Sequence, residues 1–394
     1  MLLSEPGAGL QIQPLWRLGF RPFFLAGSAF AVLAIAAWGA LLAGWLQWQP
    51  VGGSLVWHRH EMPFGFGAAI IAGFLLTAVQ NWTNHPGLRG RPLMLLFGVW
   101  LAARLAWLLQ PPLAVLIPLQ LAFLPLLAVV LGVRLHAARQ RHNYPLVLVL
   151  GLLSLCQAET LYGLAQADDH LQRRGVLAAL WLVAALIGII GGRVIPFFTQ
   201  RGLGLTQAPR PAPRLDRLGL GAALLVAGLT ASGVGLQAQP WLAPLFLLIA
   251  SLHGLRLWRW YQPGIWRVPL LWSLHLAYAW LAVAALGMAA WHLGWLRQPS
   301  LASHALAVGG MGGMILAMLA RVSLGHTGRP LQPAPAIAWA FASLHLGAAC
   351  RVVLAALLPA GLWLAALAWA VAFMLFLRHY AALLCQPRVD GQPG

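Results

Sequence analysis

Thirteen histidines stand against seven acidic residues in this chain of 394, and the densest polar constellation is Trp57-His58-Arg59-His60-Glu61-Met62. Neutral imidazole is a good ligand for iron and copper. The carboxylates that would suit calcium or magnesium are almost absent from the apolar stretches. Two histidines two residues apart on a helix point about 200° apart. They serve two neighbouring centres, chelate one metal from an extended segment, or form an interfacial hydrogen-bonding pair. Glu61 is one of two acids near an apolar run, with Glu159. Beside a metal it would relay protons or orient an imidazole; its other role is to pair with Arg59 or Arg104. Met62 is a soft thioether, able to hold Cu(I) or simply to pack.

Depth along the helices narrows the choice. At 1.5 Å rise per residue, His304 and His326 stand about 33 Å apart and cannot share a metal. His58, His60 and His304 fall at the same ends of the second and tenth apolar stretches. They can therefore meet, and His60 facing His304 would give the axial pair of a haem. Gly65, Gly67, Gly309, Gly310, Gly312 and Gly313 remove side-chain bulk just below, which lets a flat macrocycle or another helix approach. His275 and His345 lie deeper and suit hydrogen bonding as well as ligation. Arg193, Thr199, Arg321, His326, Thr327 and Arg329 make a polar inner rim. It suits phospholipid or haem propionates, and equally snorkelling and helix capping.

These residues must be positioned by membrane helices. The chain is 61% hydrophobic and 8% charged, with mean hydropathy +0.78, whereas soluble domains carry about a quarter charged residues. A cytosolic enzyme, a secreted module and a disordered chain are excluded. The formal charge of +18 comes from 25 basic residues, all of them Arg and dispersed through short loops, so nucleic acid is not the partner; the lipid bilayer is. Cys156, Cys350 and Cys385 suit neither a disulfide framework nor a thiolate metal site. Met1 to Pro14 lacks the pattern of a cleavable signal peptide.

Twelve stretches are long enough to span a bilayer, at roughly 23–46, 63–83, 92–110, 112–135, 145–166, 175–198, 217–238, 241–261, 267–291, 301–322, 334–357 and 361–383. With both termini cytoplasmic, 19 arginines fall on the inner side, Arg210 among them, and 4 on the outer, Arg59, Arg173, Arg174 and Arg297; Arg104 and Arg351 lie within spans. That asymmetry predicts a multi-pass protein of a bacterial inner membrane with both ends inside. The expected fold is all-α, a single transmembrane domain over 1–394.

An internal repeat is also expected. Arg193-Val-Ile-Pro-Phe-Phe-Thr199-Gln-Arg201 and Arg321-Val-Ser-Leu-Gly-His-Thr327-Gly-Arg329 share one pattern, and Thr77 to His85 matches it loosely. Gly90-Arg-Pro-Leu93 recurs as Gly328-Arg-Pro-Leu331. These matches suggest three four-helix units, about 14–138, 139–262 and 263–394. Repeats of this kind are common in transporters too.

The longest motifs are Pro14-Leu-Trp-Arg-Leu-Gly-Phe-Arg-Pro-Phe-Phe24, Trp57-His-Arg-His-Glu-Met-Pro-Phe-Gly-Phe66, Asn81-Trp-Thr83, Gly192-Arg-Val-Ile-Pro-Phe-Phe-Thr199 and Gly325-His-Thr-Gly-Arg-Pro-Leu331. On these the chain resembles the NnrS family of bacterial inner-membrane proteins linked to nitric oxide. The resemblance implies twelve spans, bound haem b and copper, and a role in nitric oxide metabolism or nitrosative stress resistance. On that reading His60 and His304 would be the haem ligands, with His58 the alternative. His58, with Met62 or His275, would hold copper, and Glu61 would relay protons. Arg193 and Arg329 would touch propionates or lipid, and an unidentified donor would supply electrons. A looser likeness is to haem–copper oxidase and nitric oxide reductase subunits, also twelve helices in threefold pseudosymmetry. There the His-x-His lies on helix 10. Here it lies on helix 2, and helix 7 has no histidine, so an oxidase-type copper site does not carry over. The other functional class is a transporter or assembly factor for haem, copper or a small solute.

Overall fold

A computed structural model describes residues 11–207 and 212–392; Arg210 and most of the segment Met1 to Pro14 lie outside them. Among the described residues the structure is all-helical, with no strand. Twelve long helices follow one another: α1 Phe20–Leu42, α2 Ser54–Thr83, α3 Arg91–Leu109, α4 Leu113–Ala137, α5 Tyr144–Ala165, α6 Asp169–Leu203, α7 Pro213–Ala231, α8 Ala243–Trp260, α9 Pro269–His292, α10 Pro299–His326, α11 Pro335–Leu357 and α12 Ala360–Cys385. Most bounds fall within a few residues of those expected, because apolar run length sets them.

Two helices differ. Helix α6 runs for 35 residues, longer than a bilayer requires. Asp168 caps its start, accepting from the backbone N–H of His170 at 2.8 Å and Leu171 at 3.1 Å. Helix α7 ends at Ala231 rather than at 238 and opens on Arg214, Asp216 and Arg217. The other eleven are long and apolar enough to cross a membrane. Large apolar side chains such as Leu95, Leu109, Val129 and Leu155 point outward, as a lipid-facing surface requires.

The chain forms two compact units. The first takes Met1–Ala167, Leu319–Gln332 and Phe373–Gly394: helices α1 to α5 with the ends of α10 and α12. In it α2 packs on α1 and α4, α3 on α4, and α4 on α5. The second takes Asp168–Met318 and Pro333–Ala372: α6 to α9, most of α10, α11 and the start of α12. In it α6 packs on α7, and α9 on α8 and α10.

Candidate functional site

Helix α2 carries the motif. After His60 its α-helical hydrogen bonding loosens into a π-helical stretch, Glu61–Gly67. Pro63 has no N–H to give to the turn before it, and Gly65 and Gly67 bring no side chain. Wide turns of this kind concentrate at functional sites. Helix α10 does the same, with a π-helical stretch Ala305–Gly312 that begins directly after His304.

His60 and Glu61 are both 1% exposed. The imidazole Nδ1 lies 2.9 Å from Glu61 Oε1. Arg104 of α3 brings Nε to 2.8 Å from Glu61 Oε2, donates to the Phe64 carbonyl at 3.3 Å, and reaches Gln120 Oε1 on α4. Gln120 donates to the Ala103 carbonyl. The Gln157 amide nitrogen on α5 donates to the Gln120 carbonyl at 3.0 Å and lies 3.2 Å from His60 Nε2. Four helices thus meet in one buried polar network. A Cβ on Gly65 would stand 2.8 Å from Arg104 Nη1 and 2.9 Å from Glu61 Oε2, so that glycine makes room for the ion pair.

The network sets the imidazole tautomer. A carbonyl only accepts, so the Gln120 carbonyl fixes Gln157 with its NH2 inward. Gln157 then donates to His60 Nε2, which carries the lone pair, and Nδ1–H donates to Glu61. A carboxylate holding Nδ1 while Nε2 keeps its lone pair is the arrangement metal-ligating histidines adopt. Among the described residues, the buried Gln157 Oε1 and Trp107 Nε1 of this region have no hydrogen-bond partner. The Trp107 ring lies 5.5 Å from the His60 ring.

The other predicted residues are placed as follows. His58 stacks on Trp38 with ring centroids 4.4 Å apart. Met62 packs against the apolar cluster that includes Trp57, Trp107 and Leu161. In the second unit, His304 Nδ1 lies 2.7 Å from the Ser300 carbonyl. Arg351 Nη2 stands 3.2 Å from the same Nδ1. His275 Nδ1 donates to the Leu271 carbonyl at 2.9 Å, and His345 accepts from Trp280 Nε1 at 3.2 Å. Arg193 is exposed, and Asp216 acts on its charge. Arg329 Nη2 lies 3.5 Å from Gln386 Oε1. Among the described residues no three of His, Cys, Asp and Glu gather as a metal-holding group.

As donors the His60 residues fit a haem iron, since a neutral, carboxylate-oriented imidazole presents Nε2. The glycines of α10 do not form a slot for the macrocycle. A Cβ on Gly309 would stand 2.3 Å from the Trp280 ring, on Gly312 2.5 Å from Trp369, and on Gly313 2.9 Å from His345. Those gaps are filled by side chains of the same unit.

The sequence reading missed Gln120 and Gln157. It also missed a network in the second unit. Arg256, 2% exposed, donates to the Tyr278 hydroxyl and to the Gly188 carbonyl, and pairs with Asp216 at 2.8 Å. The Tyr278 hydroxyl lies 2.8 Å from His253 Nδ1. A lone Gln or Tyr inside an apolar run was the only signal available.

No curated protein matches the chain. The family comparison does find a match, and it covers the His60 network together with every motif quoted above. With residues 14–388 matched by the NnrS protein family, the chain belongs to that family.

Proposed function

We propose that this nitric-oxide-linked membrane protein binds haem b and copper and takes part in the disposal of nitric oxide, with His60 as the iron ligand. The observation that supports this most is the His60 imidazole, held by Glu61 so that Nε2 keeps its lone pair. Haem bound there would supply a redox-active iron able to accept nitric oxide. The chain's own residues do the rest. Glu61 orients the ring and is placed to exchange a proton with Nδ1, Arg104 pairs with that carboxylate, and Gln157 masks Nε2 until a ligand replaces its hydrogen bond. His304 as second axial ligand, His58 as the alternative, and copper at His58 with Met62 or His275 belong to the same proposal. So do the inner bacterial membrane and an unidentified electron donor.

A reduced-minus-oxidised spectrum with metal analysis on the purified protein tests it. Haem is expected in the wild type, with His60→Ala losing it and Gln157→Leu keeping it. A wild type without a Soret band, or a folded His60→Ala with undiminished haem, defeats the reading.

A further inference from the structure

Neither the motif Pro14 to Phe24 nor the motif Gly325 to Leu331 takes part in the His60 network. Both belong to the first unit, and there they meet. Arg21, in the first turn of α1, is fully buried at 0% exposure. Its Nη1 donates to the carbonyls of Leu384 at 3.0 Å and Gln386 at 2.6 Å, with Leu383 at 3.5 Å. These belong to the C-terminal end of α12, where helix carbonyls lack intrahelical partners and the dipole favours a cation. That accounts for one nitrogen. Among the described residues, Arg21 Nε and Nη2, on the opposite edge of the guanidinium, are buried with no hydrogen-bond partner.

The surroundings are cationic. Arg17, Arg329 and Arg388 all repel the Arg21 charge. Arg329 Nη1 is also buried with no hydrogen-bond partner among the described residues. The His326 ring lies 5.6 Å from Phe20, and the Phe20 ring lies 5.4 Å from the Arg21 guanidinium carbon. Among the described residues one carboxylate bonds within this cluster, that of Asp390, and Arg388 holds it through 2.9 Å and 2.5 Å hydrogen bonds. Those bonds push the Asp390 carboxyl down to about 2, so it is ionised and committed to Arg388. The tail is pinned over the cluster, with Val389 N–H donating to the Thr327 carbonyl at 3.1 Å and Arg388 donating to that of His326 at 3.2 Å.

A buried guanidinium edge with no acceptor is costly, and three like charges beside it raise the cost. The two N–H groups of that edge match a pair of phosphate oxygens. We propose that Arg21 Nε and Nη2, with Arg329 Nη1, form a binding site for a phosphate oxyanion. Its place at the end of a membrane helix favours the headgroup of an anionic phospholipid over free phosphate, since basic pockets between helices recruit such lipids.

Native mass spectrometry of the full chain in detergent tests this, using phosphatidylglycerol, phosphatidylcholine and inorganic phosphate as probes, with haem absorbance read on each sample. Phosphatidylglycerol is expected to bind in preference to phosphatidylcholine. Its affinity should fall about tenfold in Arg329→Gln, the loss of one charge-assisted hydrogen bond, and remain unchanged in the exposed control Arg141→Gln. Arg21→Lys, which keeps the charge on α12 but loses the fork, should also weaken it. Displacement by inorganic phosphate supports the oxyanion site and assigns it to the soluble ion. Equal binding of both lipids, or wild-type binding in both Arg329→Gln and Arg21→Lys, overturns the site. Loss of haem in step with lipid overturns it too, by giving the cluster to porphyrin carboxylates.

Discussion

Glu61 has two arginines within reach in sequence, Arg59 and Arg104, and it pairs with Arg104. Helix geometry explains the choice, because residues two apart point about 200° away from each other, so Arg59 faces away from Glu61. The pair is sealed by Phe30 and Trp100, whose rings lie 5.9 Å from the Arg104 guanidinium carbon. Removing one member of a buried pair strands the other charge. Arg104→Met should therefore cost about 3–5 kcal/mol of stability. The double variant Arg104→Met/Glu61→Leu should recover most of that loss, because no unpaired charge remains. Thermal unfolding in detergent measures both, and a double variant no more stable than the single one would show that packing is at stake rather than charge. The ionisable members of this network were legible, since charges are rare in apolar runs. Gln120 and Gln157 were not. Gln157 meets His60 across 97 positions of sequence, and a neutral amide inside an apolar helix carries no mark of which partner it will find.

Elements decide what the glycines do. Gly65 admits the Arg104–Glu61 pair, whereas Gly98 of α3 has nothing within 4 Å of an added Cβ. Gly65→Ala should lose about 1–3 kcal/mol through overpacking. Gly98→Ala should gain up to about 1 kcal/mol from helix propensity. Equal effects of the two in a thermal unfolding series would refute the role given to Gly65. The same contrast explains why small faces misled the reading of α10. A glycine in sequence announces a gap and not its occupant, and at Gly309 and Gly312 the occupants are Trp280 and Trp369. The helix-end motifs carried firmer physics. Thr83, Thr199 and Thr327, at equivalent places in the compared segments, each donate to the carbonyl four residues back, at 2.7, 2.8 and 2.6 Å. Gly90 and Gly328, which open the paired Gly-Arg-Pro-Leu segments, both adopt positive φ, 61° and 74°, where only glycine is unstrained.

At the scale of the whole molecule, the bilayer dictates most of what composition could reveal. Apolar run length set eleven membrane-competent helices. It served α7 least well, because a helix that opens on Arg214, Asp216 and Arg217 gets its first turn from pairing as much as from lipid: Asp216 holds Arg256 of α8. Orientation rests on a different physical term, the cost of moving arginine across the membrane, and so can be tested separately from the fold. Cys385 ends α12 and is exposed, while Cys156 is buried and Cys350 is partly so. In a variant keeping Cys385 alone, a membrane-impermeant maleimide should label inside-out vesicles and leave intact spheroplasts unlabelled. The reverse pattern would put the 19 arginines of the richer side outside, against the rule that arginine-rich loops stay in the cytoplasm. It would also move the Arg21 cluster to the outer leaflet, because α1 begins on the side where α12 ends.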